Sequence, residues 1–184
     1  YSAASYCFGA NINFDYLILL NANLSDEKKA KKMQELGEAI NNSNNVVDNM
    51  ELVSFNDLQT YMIVKERIAE AFDVWEEADK ALKNNQSGAE YNIAYVTERL
   101  FSAYSWSHFF NTTEDEFIMD DDVMSNSCKI IISEAQERVE YFRLLYPYPL
   151  PLLESTSKEI DKALNYFNNN RFKMCLMHAT KAKS

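Results

Sequence analysis

The stretch Ala89–Phe110, AEYNIAYVTERLFSAYSWSHFF, decides the fold. Ile93, Val96, Leu100, Ala103, Ser107 and Phe110 recur at alternating steps of three and four, the spacing of one face of an α-helix. Ala94, Phe101 and Tyr104 widen that stripe, and Tyr91, Tyr95 and Trp106 extend it to the flanks. A helix apolar around so much of its circumference needs neighbours on several sides. Its start is predicted at Ser87-Gly-Ala-Glu90, which fits a capping box.

The stretch before it pairs with it. Leu58, Tyr61, Ile68, Phe72, Trp75 and Leu82 form a seven-residue pattern, interrupted by Lys65 and Asp79. Asn84–Gly88 is a short polar turn, so Asn56–Lys83 and Ala89–Phe110 form an antiparallel helical hairpin. Trp75 and Phe101 are expected in its core. The chain has 3 Gly and 3 Pro among 184 residues, which favours long helices over sheets and their turns.

Outward from the hairpin the same reading continues. Tyr1–Leu20 is a helix with Tyr1, Ala4, Phe8, Ile12 and Tyr16 on one stripe, and Gly9 suggests a close helix approach. Ser25 caps a second helix, with Ala30, Met33, Leu36 and Ile40 inward and a lysine-rich solvated face. Asn41–Asn45 is a polar break or weak helical stretch, and Asn56-Asp-Leu-Gln59 is the next helix start. Thr113-Glu-Asp-Glu116 is a second capping box, and the acidic residues from Glu114 to Asp122 suit a helix N-terminus. They lack the spacing and glycine of a calcium loop. Met124, Cys128, Ile131, Ala135, Arg138, Phe142 and Leu145 mark a fifth helix ending before Pro147. A sixth starts at Thr156 with Ile160, Ala163, Leu164 and Phe167 inward; a seventh carries Phe172, Cys175, Leu176 and Ala179.

The expectation is an all-α fold of about seven helices in antiparallel hairpins. Residues 1–146 would form the main bundle, 147–154 a proline-rich linker, and 155–184 a terminal hairpin packed on the bundle. Ala78-Asp-Lys-Ala-Leu82 and Ile160-Asp-Lys-Ala-Leu164 each precede a polar turn, an aromatic and a small residue, a weak repeat of tetratricopeptide-like hairpins.

A net charge of −10 argues against nucleic-acid phosphates and anionic membrane surfaces as partners. No apolar run reaches the ~20 residues of a membrane span. Cys7, Cys128 and Cys175 fall in helical patterns and are expected as buried thiols, an odd count fitting a disulfide framework poorly. Asn23, Asn41, Asn85 and Asn111 each head an N-x-Ser/Thr triplet, which permits an extracytoplasmic location. The chain opens on Tyr1 already in helical pattern, so we expect a longer parent with room upstream for a signal, a membrane anchor or a catalytic domain.

Tyr1-Ser-Ala-Ala-Ser-Tyr-Cys-Phe-Gly-Ala-Asn-Ile12, with Glu98-Arg-Leu-Phe-Ser-Ala-Tyr-Ser-Trp-Ser107, resembles the helical C-terminal region of archaeal Lon-type serine proteases. The resemblance implies a Ser–Lys dyad in a domain before Tyr1, and no residue of this chain matches that motif.

No HExxH, GxSxG, P-loop or GxGxxG occurs, and neither His108 nor His178 lies three residues after a Glu as in di-iron bundles. No catalytic, cofactor-binding or metal residue is assigned, and no cofactor is expected. The first functional expectation is a non-catalytic interaction or oligomerisation domain, with a protein partner or a second copy meeting a surface that includes the first helix. The alternative is a small helical enzyme or ligand-binding bundle with an aromatic pocket at Tyr91, Tyr95, Tyr104, Trp106 and His108.

Overall fold

A computed structural model describes residues 3–84, 88–112, 120–146, 148 and 150–184, with side chains from residue 6 onward. Among these residues the chain is all-helical: α1 (Ala3–Ala22), α2 (Asp26–Asp48), α3 (Phe55–Lys83), α4 (Ala89–Ser107), α5 (Asp121–Leu145), α6 (Pro151–Asn168) and α7 (Phe172–Lys183). They form two compact units, Tyr1–Glu51 with Gln59–Thr112, and Leu52–Leu58 with Thr113–Ser184. This division puts α5 with α6 and α7, where the sequence reading had grouped it with the first four helices.

In the first unit the pairings run antiparallel. Arg67 meets Ser102 and Glu70 meets Arg99 between α3 and α4. Trp75 meets Met33, and Lys65 meets Asp48, between α3 and α2. Phe8 meets Tyr95 and Tyr16 meets Tyr91 between α1 and α4. The result is an up-down-up-down four-helix bundle, with Met33, Ala78 and Ile93 in one core cluster.

Local departures from expectation have physical causes. Of the two readings of the Asn-rich stretch the helical one holds: α2 runs through it to Asp48, and Asn44 and Asp48, one turn apart, both bind the buried Lys65. Tyr61 completes that cluster by donating to Asp48 at 3.1 Å. Lys65 is thus no interruption of the α3 stripe but a satisfied buried charge. The cap of α3 is Ser54, not Asn56. Ser54 Oγ accepts from the Asp57 amide at 3.0 Å, and Asp57 Oδ2 accepts from the Ser54 amide at 3.0 Å, a reciprocal capping box. Ser87 and Thr113–Glu116, expected in two other boxes, lie outside the described residues, although Asp120 caps α5 by accepting from Val123 at 2.8 Å.

Gly9 has no atom within 4 Å of an added Cβ, so it marks no close approach. The close approach is at Gly37, where a Cβ would stand 2.9 Å from the Trp75 ring. Trp75 is half-buried against the core cluster, whereas Phe101 is 59% exposed. The face of α4 turned inward carries Ile93, Val96 and Ala103, and Phe101 sits outside it.

In the second unit α5 and α6 are antiparallel, as Arg143–Ser157 and Lys129–Phe167 contacts show, and α7 returns parallel to α5. The buried face of α5 is Met124, Cys128, Ile132, Ala135 and Val139. It leaves the expected heptad after Cys128, since a straight helix of ~3.6 residues per turn drifts from a strict seven-residue repeat. Helix α6 begins at Pro151 rather than Thr156, because proline is at home in a first helical turn, so the last four residues of the expected 147–154 linker are helix.

Cys128 and Cys175 are buried as expected but not as thiols. They form a disulfide across α5 and α7 with Cα atoms 6.1 Å apart. Cys7 is free and exposed. An odd count therefore conceals one pair and one thiol.

Candidate functional site

Helix α1 is apolar on two opposite sides, given a turn of about 100° per residue. Its inner side carries Phe8, Ile12, Tyr16 and Leu19. Ile12 is buried, Phe8 stands edge-on to Tyr95 at 5.8 Å, and Tyr16 stands edge-on to Tyr91 at 5.6 Å. Arg99 lies over the Phe8 ring at 4.5 Å while binding Tyr95 and Glu70, each at 2.7 Å. The stripe expected to lack cover is therefore covered by α4 from Phe8 on; Tyr1 and the Ala4 side chain lie outside the described set.

The outer side is the exposed one. Tyr6 is 71% exposed, Phe14 66% and Ile18 64%, and Leu17 and Ala10 lie exposed among them. The sole charge of α1, Asp15, is half-buried on the opposite side of the helix from this face. There it stands near Glu98, whose pKa is raised by burial first and by the Asp15 charge. The outer face is thus apolar, contiguous along three turns and without charge. The sequence carried its signal in the spacing of Tyr6, Ala10, Phe14 and Leu17.

A second feature opens within the first unit, where α2, α3 and α4 meet the end of α1. It is a groove of about 920 Å3, lined among others by Leu20, Lys29, Met33, Trp75, Leu82 and Glu90. Lys29 and Glu90 pair across it at 2.6 Å. That hydrogen bond is the main cause of the lowered Glu90 pKa and the raised Lys29 pKa. Trp75 is fixed by its Nε1–H, which donates to the Met33 carbonyl at 2.7 Å, and by stacking on Phe72.

The aromatic pocket expected on α4 does not assemble. Tyr91 and Tyr95 face α1 at one end. Tyr104 is exposed against His108, the residue just past the end of α4, with ring centroids 4.7 Å apart, and Trp106 lies under the Arg67 guanidinium. His108 Nδ1 faces the Tyr104 carbonyl at 3.0 Å.

His178 meets a carboxylate. Its Nδ1 is 2.7 Å from Glu159, and its ring stacks on Tyr166. Burial pushes the His178 pKa down, against the opposing pull of Glu159. Burial alone would raise Glu159, but hydrogen bonds from His178 and Lys162 hold it low. The imidazole and the carboxylate are thus held together by one short contact. It joins α6 to α7 within the second unit. Among the described residues no group of three or more His, Cys, Asp or Glu side chains could hold a metal ion. Among them, too, no helix is long and apolar enough to cross a membrane.

No protein-family model, curated protein or solved structure matches the chain.

Proposed function

We propose that the chain is a helical interaction module that pairs with a second copy of itself through the outer face of α1. The uncharged apolar stripe of Tyr6, Phe14, Leu17 and Ile18 is the observation that carries this reading. The four side chains offer roughly 500 Å2 per copy, so two copies would bury about 1,000 Å2, the lower size of a specific interface. A chain of net charge −10 repels its own copy wherever charges face each other, and α1 offers a face without any. Crossing α1 over its two-fold mate would lay Phe14 near its counterpart, the self-complementary contact of a symmetric dimer.

Sedimentation equilibrium tests it. A concentration-dependent dimer is expected, and Phe14→Glu and Ile18→Glu should each weaken it by about 2 kcal/mol or more with helicity retained. A wild-type chain that stays monomeric at high concentration, or variants that dimerise as well as wild type, would sink the proposal.

The groove beside Trp75 favours a second reading, binding of a small amphipathic molecule, since its volume lies in the ~300–1,000 Å3 range of ligand sites. Anilinonaphthalene sulfonate bound there should quench Trp75 emission, and the quenching should vanish in Trp75→Phe. Unchanged quenching in that variant counts against the groove.

A further inference from the structure

Two observations, independent of the α1 face, concern where this chain folds and what is attached to it. The first is the disulfide. Cys128 and Cys175 are both fully buried, 47 residues apart in sequence, and joined across two helices. Such bridges form and persist in oxidising compartments and are rare where thiols are kept reduced. The second is the connection between α1 and α2. Asn23-Leu24-Ser25 fills it completely, and Asn23 is exposed in a left-handed turn with φ of 43°. Of the four N-x-Ser/Thr triplets, it is the one whose three residues are all described and all lie outside helix. Asn41 is inside α2, the Asn85 triplet lies outside the described residues, and the Asn111 triplet extends beyond them.

We propose that the chain folds in an oxidising, extracytoplasmic compartment and that Asn23 is an acceptor for an N-linked oligosaccharide there. The triplet is the acceptor motif of that modification, which belongs on exposed loops. The donor class is an oligosaccharide carried on a polyprenyl phosphate or pyrophosphate. Asn23 Nδ2 forms a bond to the anomeric carbon of the sugar. The carbon–oxygen bond to the phosphate breaks, the phosphate leaves with the electron pair, and the amide gives up one proton. The helices need not open for this, because residues 23–25 stand between the end of α1 and the start of α2. Ser25 also caps α2 by accepting from the Lys28 amide, so the hydroxyl of the motif is placed by the fold itself.

The test is peptide mapping of the native chain, isolated from the cells that make it, without reduction. The peptide holding Asn23 should carry a sugar mass, and the peptides holding Cys128 and Cys175 should be recovered linked. Expressed in the same cells, Asn23→Gln should lose the sugar mass from that peptide, while Ser25→Thr, which keeps both motif and cap, should retain it. Circular dichroism confirms that both variants fold. A bare Asn23 in the native chain overturns the proposal even if the disulfide is intact. So does a sugar mass that persists on that peptide in Asn23→Gln.

Discussion

Two glycines in α1 and α2 look alike in sequence and should respond oppositely to the same change. At Gly9 a methyl group meets nothing within 4 Å, so Gly9→Ala should gain about 0.5–1 kcal/mol from reduced backbone entropy in the unfolded chain and better helix propensity. At Gly37 the methyl would meet the Trp75 ring at 2.9 Å, and the ring is tied to the Met33 carbonyl. Gly37→Ala should lose about 1–3 kcal/mol through overpacking, with a shift in Trp75 emission. Thermal melts of the two variants check both signs. Sequence reading could not separate these residues, because a glycine's worth depends on what faces it. It also could not see that Lys65 would be buried, since its partners Asn44 and Asp48 lie on another helix. Titratable residues divide in the same way. His178 has its pKa lowered from 6.5, so the unfolded chain binds more protons and stability falls as pH drops below about 6.5. Glu159, lowered from 4.5, adds a loss of the same sign as pH falls below about 4.5. Glu98 is raised above 4.5, so its contribution is present in acid and lost as pH rises through its folded value. Denaturant melts from pH 7 to 5 should therefore show weakening that His178→Gln largely removes.

Helices were the legible level. Periodicity and start signals point to each of the seven helices among the described residues; α3 lies within a residue of the expected Asn56–Lys83 and α4 starts at Ala89 as expected, while α4 ends at Ser107 rather than Phe110. What failed was the choice of face. On α5 the stripe departs from a heptad after Cys128, and on α1 apolar residues occupy both sides, so pattern alone cannot say which side faces protein. The capping box at the start of α3 stands in the sequence as Ser54-x-x-Asp57, just ahead of Asn56. Ser54→Ala should cost about 1 kcal/mol, seen as a lower melting temperature. Cysteine pairing was the least legible, since 47 residues separate partners that only the return of α7 alongside α5 brings together. Closing a loop of that length is worth up to about 4 kcal/mol in chain entropy. Reduction, or a paired change to alanine, should lower the unfolding midpoint of the second unit by a corresponding amount, measurable through hydrogen exchange in α5 and α7.

At the scale of the whole molecule, fold class and charge were plain from the sequence, and the outer face of α1 was not singled out. If two copies meet there, added salt should strengthen the pairing, because it screens the repulsion between chains of net charge −10 while leaving the uncharged contact intact. Sedimentation at low and moderate ionic strength measures this, and a dimer that dissociates with added salt would point to an ionic contact elsewhere. The make-up of that face also sets a thermal character. Contact between aliphatic and aromatic side chains, with no ion pair among them, removes apolar surface from water and carries a negative heat-capacity change. Its driving force fades on cooling. An assembly held by Tyr6, Phe14, Leu17 and Ile18 would loosen in the cold room and tighten on the bench.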